Sequence, residues 1–211
     1  PRLCAHAKLL LGGNCRVCSV KVNGKVTNAC TMPVAAGMDV ENDTPEMTGH
    51  RRRIIEMLFV EGNHFCPFCE KSGNCELQAL AMRLGMTAPT YPYLFRDTPV
   101  DASHPDVFID RNRCVLCGRC VRASRDLDGK TVFGFEGRGG AMRMVVDAPD
   151  GLTGTRLAAA DEAARICPTG SIVLKRTAYR QPYGTRSYDR APIGSDVEAA
   201  GRAGGPAGKG A

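Results

Sequence analysis

The sequence predicts an α+β chain made of three small cysteine-centred modules, and three observations lead there. Eleven cysteines fall into three groups: 4, 15, 18 and 30; then 66, 69 and 75; then 114, 117 and 120, with 167 far downstream. Short runs rich in strand formers alternate with short runs of helical period, with Gly and Pro between them. The chain has no Trp and only 6% aromatic residues, so few large side chains are available to fill a core. Small domains with thin cores need metals or cross-links to hold them.

The totals narrow the reading further. A length of 211 residues allows one ordinary domain or two to three very small ones. The net charge of +6 is mild and does not mark a nucleic-acid binder. An odd cysteine count fits poorly with a complete set of internal disulfides. No secretory signal opens the chain, and no apolar run approaches the length needed to cross a bilayer. The expectation is a cytoplasmic protein with reduced thiols, in which clustered cysteines mean metal. Pro1, with Cys4 close behind it, leads us to expect further residues upstream.

In chain order, Val17, Val20, Val22 and Val26 surround Asn23-Gly24, the pair favoured in a two-residue type I′ turn, and predict a hairpin over 16–26. Thr44-Pro45 supplies an N-cap and a proline at the first helical position; Ile54, Ile55, Leu58 and Phe59 give that helix an apolar face, and Gly62 ends it. A second helix is predicted from Asn74 to Leu84, closed by Gly85, and an extended connector over 89–99. Val107–Ile109 reads as a strand, and 132–135 with 142–146 as a hairpin. Leu157–Ile166 reads as a helix and Ile172–Leu174 as a closing strand. Beyond about residue 190 the chain is Gly, Ala, Pro and charge, and is expected to be disordered. The modules so delimited are 1–44, 45–100 and 101–178, with an extended, largely disordered tail over 179–211.

Cys4-x10-Cys15-x2-Cys18-x11-Cys30 offers four thiolates, the number that a 2Fe–2S centre requires. Gly12 and Gly13 suit a loop whose backbone must approach sulfur closely, and Arg16 supplies positive charge nearby. His64-x-Cys66-x2-Cys69-x5-Cys75 offers three thiolates and an imidazole, with His64 as fourth ligand of a 4Fe–4S cube. Cys114-x2-Cys117-x2-Cys120, followed much later by Cys167-Pro168, has the bacterial ferredoxin spacing. Where that motif normally carries a fourth cysteine this chain has Ser124, so Cys167 is expected to complete the cube begun at Cys114. These sets use all eleven cysteines and leave no thiol for nucleophilic catalysis; no catalytic residue is singled out. Zinc is the competing occupant of each set, because paired cysteines and a three-cysteine, one-histidine set also suit that ion. For His64 the alternative is a residue that only neighbours the cluster. A zinc-ribbon module binding nucleic acid through His50-Arg51-Arg52-Arg53 would be a different class altogether, although a basic run on one helix is more often a solvated face or a docking surface.

Two stretches carry a family resemblance. Gly13-Asn14-Cys15-Arg16-Val17-Cys18-Ser19-Val20 is similar to the start of the large iron–sulfur subunit of complex I. Glu61-Gly62-Asn63-His64-Phe65-Cys66-Pro67-Phe68-Cys69-Glu70-Lys71-Ser72-Gly73-Asn74-Cys75 resembles the diaphorase iron–sulfur (gamma) subunit of cytoplasmic NAD-reducing nickel–iron hydrogenases. In complex I the histidine stands four residues before the first cysteine, where this chain has Gly62. The resemblance implies an incomplete ferredoxin-like β-grasp module, a helical module with the histidine-ligated cube, and a bacterial-ferredoxin-like module. It also implies a heteromultimer in which this chain carries electrons. The partners would be a diaphorase subunit holding FMN and NAD, and small and large [NiFe] hydrogenase subunits. A formate dehydrogenase or a complex I-like NADH dehydrogenase is the other home such a subunit could have.

Overall fold

The computed structural model describes residues 1–191. The disordered tail expected beyond residue 190 lies, from residue 192 on, outside the described residues.

The first hairpin forms where its turn chemistry puts it. β1 (Ser19–Val22) pairs antiparallel with β2 (Lys25–Asn28), in register Ser19 to Asn28 and Val22 to Lys25. Asn23 and Gly24 both take positive φ, 47° and 76°, as the two central residues of a type I′ turn must. β3 (Val40–Glu41) lies on the other side of β1, giving a three-stranded sheet in the order β2-β1-β3.

α1 (Pro45–Glu61) begins and ends as its caps predict: the Thr44 hydroxyl accepts from the Met47 amide at 3.2 Å, and Gly62 is the C-cap. Its buried face is not purely apolar. Ile55 and Phe59 are buried as expected, but so are Arg51 and Glu56. Arg51, counted in the sequence among a solvated basic run, is 4% exposed and clamps the sheet through two hydrogen bonds to the Ser19 carbonyl, at 2.9 and 2.6 Å. Glu56 accepts the backbone amides of Thr90 and Tyr91 and thereby pins the irregular 89–99 connector.

α2 (Glu76–Arg83) starts two residues later than predicted, because Cys75 occupies its N-cap. It closes with the paired bonds of a Schellman motif, Met86 N–H to the Ala81 carbonyl and Gly85 N–H to the Met82 carbonyl. β4 (Val100–Asp101), β5 (Val107–Asp110) and β8 (Ile172–Leu174) form a second antiparallel sheet in the order β4-β5-β8. α3 (Arg119–Asp126) follows the third cysteine loop, and β6 (Phe133–Glu136) with β7 (Arg143–Val146) makes the expected second hairpin.

Two expectations are corrected. Residues 157–166 are not an α-helix: only Glu162–Ala164 turn, as a single 3-10 stretch. Their backbone groups are taken by side chains far away. Both carboxylate oxygens of Asp128 accept the Glu162 and Ala163 amides, and His104 bonds the Leu157 carbonyl. Those bonds replace the local ladder that an isolated helix would need. Residues 179–190, counted in the extended tail, instead dock on the second cysteine loop and include the short helix α4 (Ser187–Arg190). Arg186 bonds the Ser72 carbonyl at 2.8 Å, and the Ser187 amide bonds the Asn74 side chain at 2.8 Å.

Two buried apolar cores hold these pieces, and neither respects a simple module boundary. The first joins Leu3, Val17, Ile55, Phe59, Leu77 and Leu80 to Val115 and Cys117 from the third cysteine loop. The second, around Val107, Ile109, Phe133, Met144 and Leu152, takes in Leu9 from the first loop. All eleven cysteines except Cys18, Cys30 and Cys69 belong to or pack against these cores.

Candidate iron–sulfur sites

The first set is built by the loop that precedes β1 and, for Cys30, by the turn that follows β2. Gly13 and Arg16 take positive φ, which curls the loop so that its amides face sulfur. The Asn14 and Cys15 amides face the Cys4 sulfur, the Val17 amide faces Cys15 and the Gly13 amide faces Cys30. The Cys4 amide donates to the Cys15 sulfur at 3.3 Å. A hydrogen bond from Cys15 holds the Cys4 thiol down at about 5, while the same bond, with burial, pushes Cys15 up. Burial and the neighbouring Cys18 raise Cys30. Arg16 itself is exposed. The positive charge on this loop comes instead from Arg122, which reaches the Cys4 carbonyl at 2.6 Å and also bonds the Leu10 carbonyl.

The second set lines a cavity of about 330 Å3, counting its open mouth, between α1 and α2. His64, Cys66, Cys69 and Cys75 all contribute to its wall. Cys75 reaches it from the N-terminus of α2, where the Leu77 and Gln78 amides face its sulfur. Burial raises all three thiols, Cys75 to about 12. His64 bonds the backbone of Leu58, and burial holds its imidazole down at about 4, so the ring is neutral at physiological pH. Its Nε2 is buried and has no hydrogen-bond partner. A buried, unpaired lone pair in the wall of a thiol-lined cavity is a costly arrangement for a bystander and the ordinary condition of a metal ligand awaiting metal. Gly62 makes this possible: a Cβ there would stand 2.7 Å from His64 Nε2 and 2.7 Å from the Asn112 carbonyl oxygen.

The third set lines a cavity of nearly the same size, about 340 Å3, walled by Cys114, Cys117, Cys120 and Cys167. Positive φ at Leu116 and Gly118 bends the 114–118 loop around it. The amides of Leu116 and Arg119 face the Cys114 and Cys117 sulfurs. Burial raises Cys114 to about 11 and also lifts Cys117 and Cys120. Cys167 is returned to the site by the pairing of β5 with β8 and by Thr169, whose hydroxyl bonds the Arg113 carbonyl at 2.7 Å.

Burial makes each free thiolate in the two cavities expensive, which suits them poorly for nucleophilic work and well for iron, whose charge removes the thiol proton outright. In the second and third sets four donors wall a cavity, as a multi-iron cluster requires. In the first set the sulfurs of Cys4 and Cys15, and of Cys18 and Cys30, lie within hydrogen-bond reach of each other. The residues present are compatible with the clusters inferred from spacing. Several participants escape a reading based on cysteine spacing. Arg113 pairs with Glu70 at 2.8 Å beside Cys69, and Ser171 and Thr169 stand against Cys114 and Cys167. Arg113, Arg119 and Arg122 each lie within two residues of a cysteine, a pattern visible in the sequence and easily taken for solvated charge.

Each of the three regions matches a known family. Residues 1–45 match a 2Fe-2S iron-sulfur cluster binding domain, residues 51–89 the NADH-ubiquinone oxidoreductase-G iron-sulfur binding region, and residues 107–174 a 4Fe-4S single cluster domain. The gamma subunit of the NAD-reducing hydrogenase HoxS of Cupriavidus necator is 42% identical over 196 residues, which span 90% of this chain and 81% of that subunit. The chain belongs to the family of NAD-reducing hydrogenase gamma subunits. In the crystal structure of an NAD+-reducing [NiFe]-hydrogenase in the H2-reduced state, one chain superposes with a TM-score of 0.88 at 46% identity, covering 91% of this chain and 82% of that one. The chain is also similar to part of a longer protein: the 78 kDa subunit of NADH-ubiquinone oxidoreductase from Candida albicans is 33% identical over 184 residues, 85% of this chain but 25% of its own length.

Proposed function

We propose that this gamma-family chain relays electrons between a [NiFe] hydrogenase module and a flavin- and NAD-binding diaphorase module. It is an iron–sulfur electron-transfer subunit of a NAD-reducing hydrogenase, an oxidoreductase. In this reading Cys4, Cys15, Cys18 and Cys30 hold one 2Fe–2S cluster. His64, Cys66, Cys69 and Cys75 hold one 4Fe–4S cluster, and Cys114, Cys117, Cys120 and Cys167 hold a second. The clusters supply one-electron redox capacity; the protein excludes water, aims amides at sulfur and sets the surrounding charge. The chain has no substrate site of its own, and H2 and NAD chemistry take place on partner subunits. The complex works in the cytoplasm; no helix among the described residues is long and apolar enough to cross a membrane.

The observation that carries this reading is the pair of cavities of matching size, each walled by the four donors that the spacing singles out. The buried, unpaired His64 Nε2 supports the one-histidine set. The test is anaerobic purification of the native assembly with iron and acid-labile sulfide analysis and identification of the accompanying chains by mass spectrometry. About ten irons and about ten sulfides per chain are expected from one two-iron and two four-iron clusters, together with a hydrogenase pair and a flavoprotein. Stoichiometric zinc without sulfide would sink the cluster reading. A molybdenum subunit in place of the hydrogenase pair would redirect the function to formate oxidation and leave the clusters in place.

A further inference from the structure

One ion pair, buried at its arginine and 21% exposed at its glutamate, ties the three cysteine loops together. Arg119, the first residue of α3, is 2% exposed and grips both carboxylate oxygens of Glu76, at 2.5 and 2.6 Å. Its Nη2 also bonds the Ala5 carbonyl at 2.8 Å. Glu76 in turn gives its backbone N–H to the Pro168 carbonyl at 2.9 Å. Every partner adjoins an expected ligand: Ala5 follows Cys4, Glu76 follows Cys75, Pro168 follows Cys167, and Arg119 precedes Cys120. The loops of the second and third sets also meet directly, since a Cβ on Gly170 would stand 3.0 Å from the Cys69 sulfur.

A loop staple alone does not need a charge. Burying an ion pair costs more desolvation than packing apolar side chains of the same volume, which often holds a fold equally well or better. The pair is also lopsided. Arg119 Nε is buried without a partner, and the guanidinium charge acts on the Cys117 and Cys167 sulfurs. Its charge therefore reaches the third set as well, although its Nη groups point at Glu76 and Ala5. A cluster gains negative charge when reduced, so a fixed positive charge beside it favours the reduced state, and a carboxylate behind that charge weakens the effect.

We propose that Arg119 and Glu76 are a positioning pair for electron transfer, holding the three ligand loops in one arrangement and biasing the third cluster toward reduction. This deepens the iron–sulfur reading above and rests on it. The guanidinium raises the third cluster's midpoint potential, and the carboxylate restrains that rise.

The experiment is an anaerobic redox titration followed by EPR, on the cluster-loaded full chain within its native assembly, with iron and sulfide measured on each sample. The third-site signal is identified by its loss in Cys117→Ser. Arg119→Gln is expected to shift that midpoint downward, Glu76→Gln to shift it upward, and Arg119→Lys to leave it near the native value. A merely structural pair would not produce shifts of opposite sign. Unmoved midpoints, or shifts in the same direction, with iron and sulfide intact, overturn the proposal. If Arg119→Gln loses the third cluster, the other two variants decide: a raised midpoint in Glu76→Gln with a near-native one in Arg119→Lys supports it, and any other result overturns it. Absence of sulfide and of any reducible signal in the native chain would bring down the iron–sulfur reading itself, and this proposal with it.

Discussion

At the scale of single residues, the proposed second ligand set depends on one imidazole and on the space left for it. His64 Nε2 has no partner, and Gly62 lies so close to it that even a methyl group would intrude. Replacing a neutral imidazole with a thiolate keeps the donor count and adds a negative charge, so His64→Cys is expected to lower the midpoint of the second-site signal in a redox titration. His64→Ala should abolish or alter that signal; an unchanged signal at an unchanged potential would remove His64 from the ligand set. Gly62→Ala tests the same geometry from the other side. Gly62 has an ordinary φ of −98°, so the obstacle is room, not backbone strain. With the Asn112 carbonyl fixed 2.7 Å from the new Cβ, a destabilisation of about 1–3 kcal/mol is expected in urea unfolding, together with the same loss of signal as in His64→Ala. A wild-type spectrum in Gly62→Ala would show that the ring does not need that space.

At the scale of elements, segment 179–190 shows how a stretch of weak local character becomes ordered by docking. Arg186 and Asp189 pair at 2.7 Å, and the Asp189 carboxyl is held down at about 2, chiefly by that hydrogen bond. The ordinary aspartate value is about 3.9. The partners of Asp189 lie within the segment, so its carboxylate acts on docking by holding the turn that presents Arg186 to the Ser72 carbonyl. A carboxyl whose pKa is lower in that turn stabilises it above the free value and loses that contribution as pH falls through the lowered one. The turn should therefore hold at neutral pH and loosen, releasing the segment, as pH drops from about 4 toward 2. Asp189→Asn should release it at neutral pH, which limited trypsin digestion after Arg186 or Arg190 would show as faster cleavage; unchanged cleavage would mean that the pair does not hold the segment. Residues 157–166 make the complementary point. Their apolar spacing resembles a helix, but the Asp128 carboxylate and His104 claim the backbone groups first.

Across the whole molecule, most of the proposed ligands belong to the apolar cores or pack against them. Cys4, Cys15, Cys75 and Cys117 sit inside the first apolar core, and Cys114, Cys120 and Cys167 pack against the second. The chain has no Trp to fill the space that a lost cluster would leave. Stripping iron and sulfide with a chelator and an oxidant is expected to lower the unfolding temperature and to open loops 64–75 and 114–120 to protease, because burial free energy and metal binding are coupled there. A stripped chain with native unfolding temperature and native cleavage pattern would show that the cores stand without their clusters. The same mixing explains why the modules, although separable by cysteine spacing, share packing: Leu9 from the first loop lies in the core of the third, and Val115 from the third lies in the core of the first two.

The features legible in the amino-acid chain alone are local ones. Asn23-Gly24 specifies its hairpin, Thr44-Pro45 and Gly62 bound α1, and the cysteine spacings pick out the residues that line the two cavities. Each depends on residues a few positions apart, where turn and cap propensities act directly. The return of Cys167 through β5 and β8, the burial of Arg51 beneath β1, and the Arg119–Glu76 junction are settled by tertiary packing alone. They join residues more than thirty positions apart, and a buried arginine reads in sequence like any solvated one until its partners are in place.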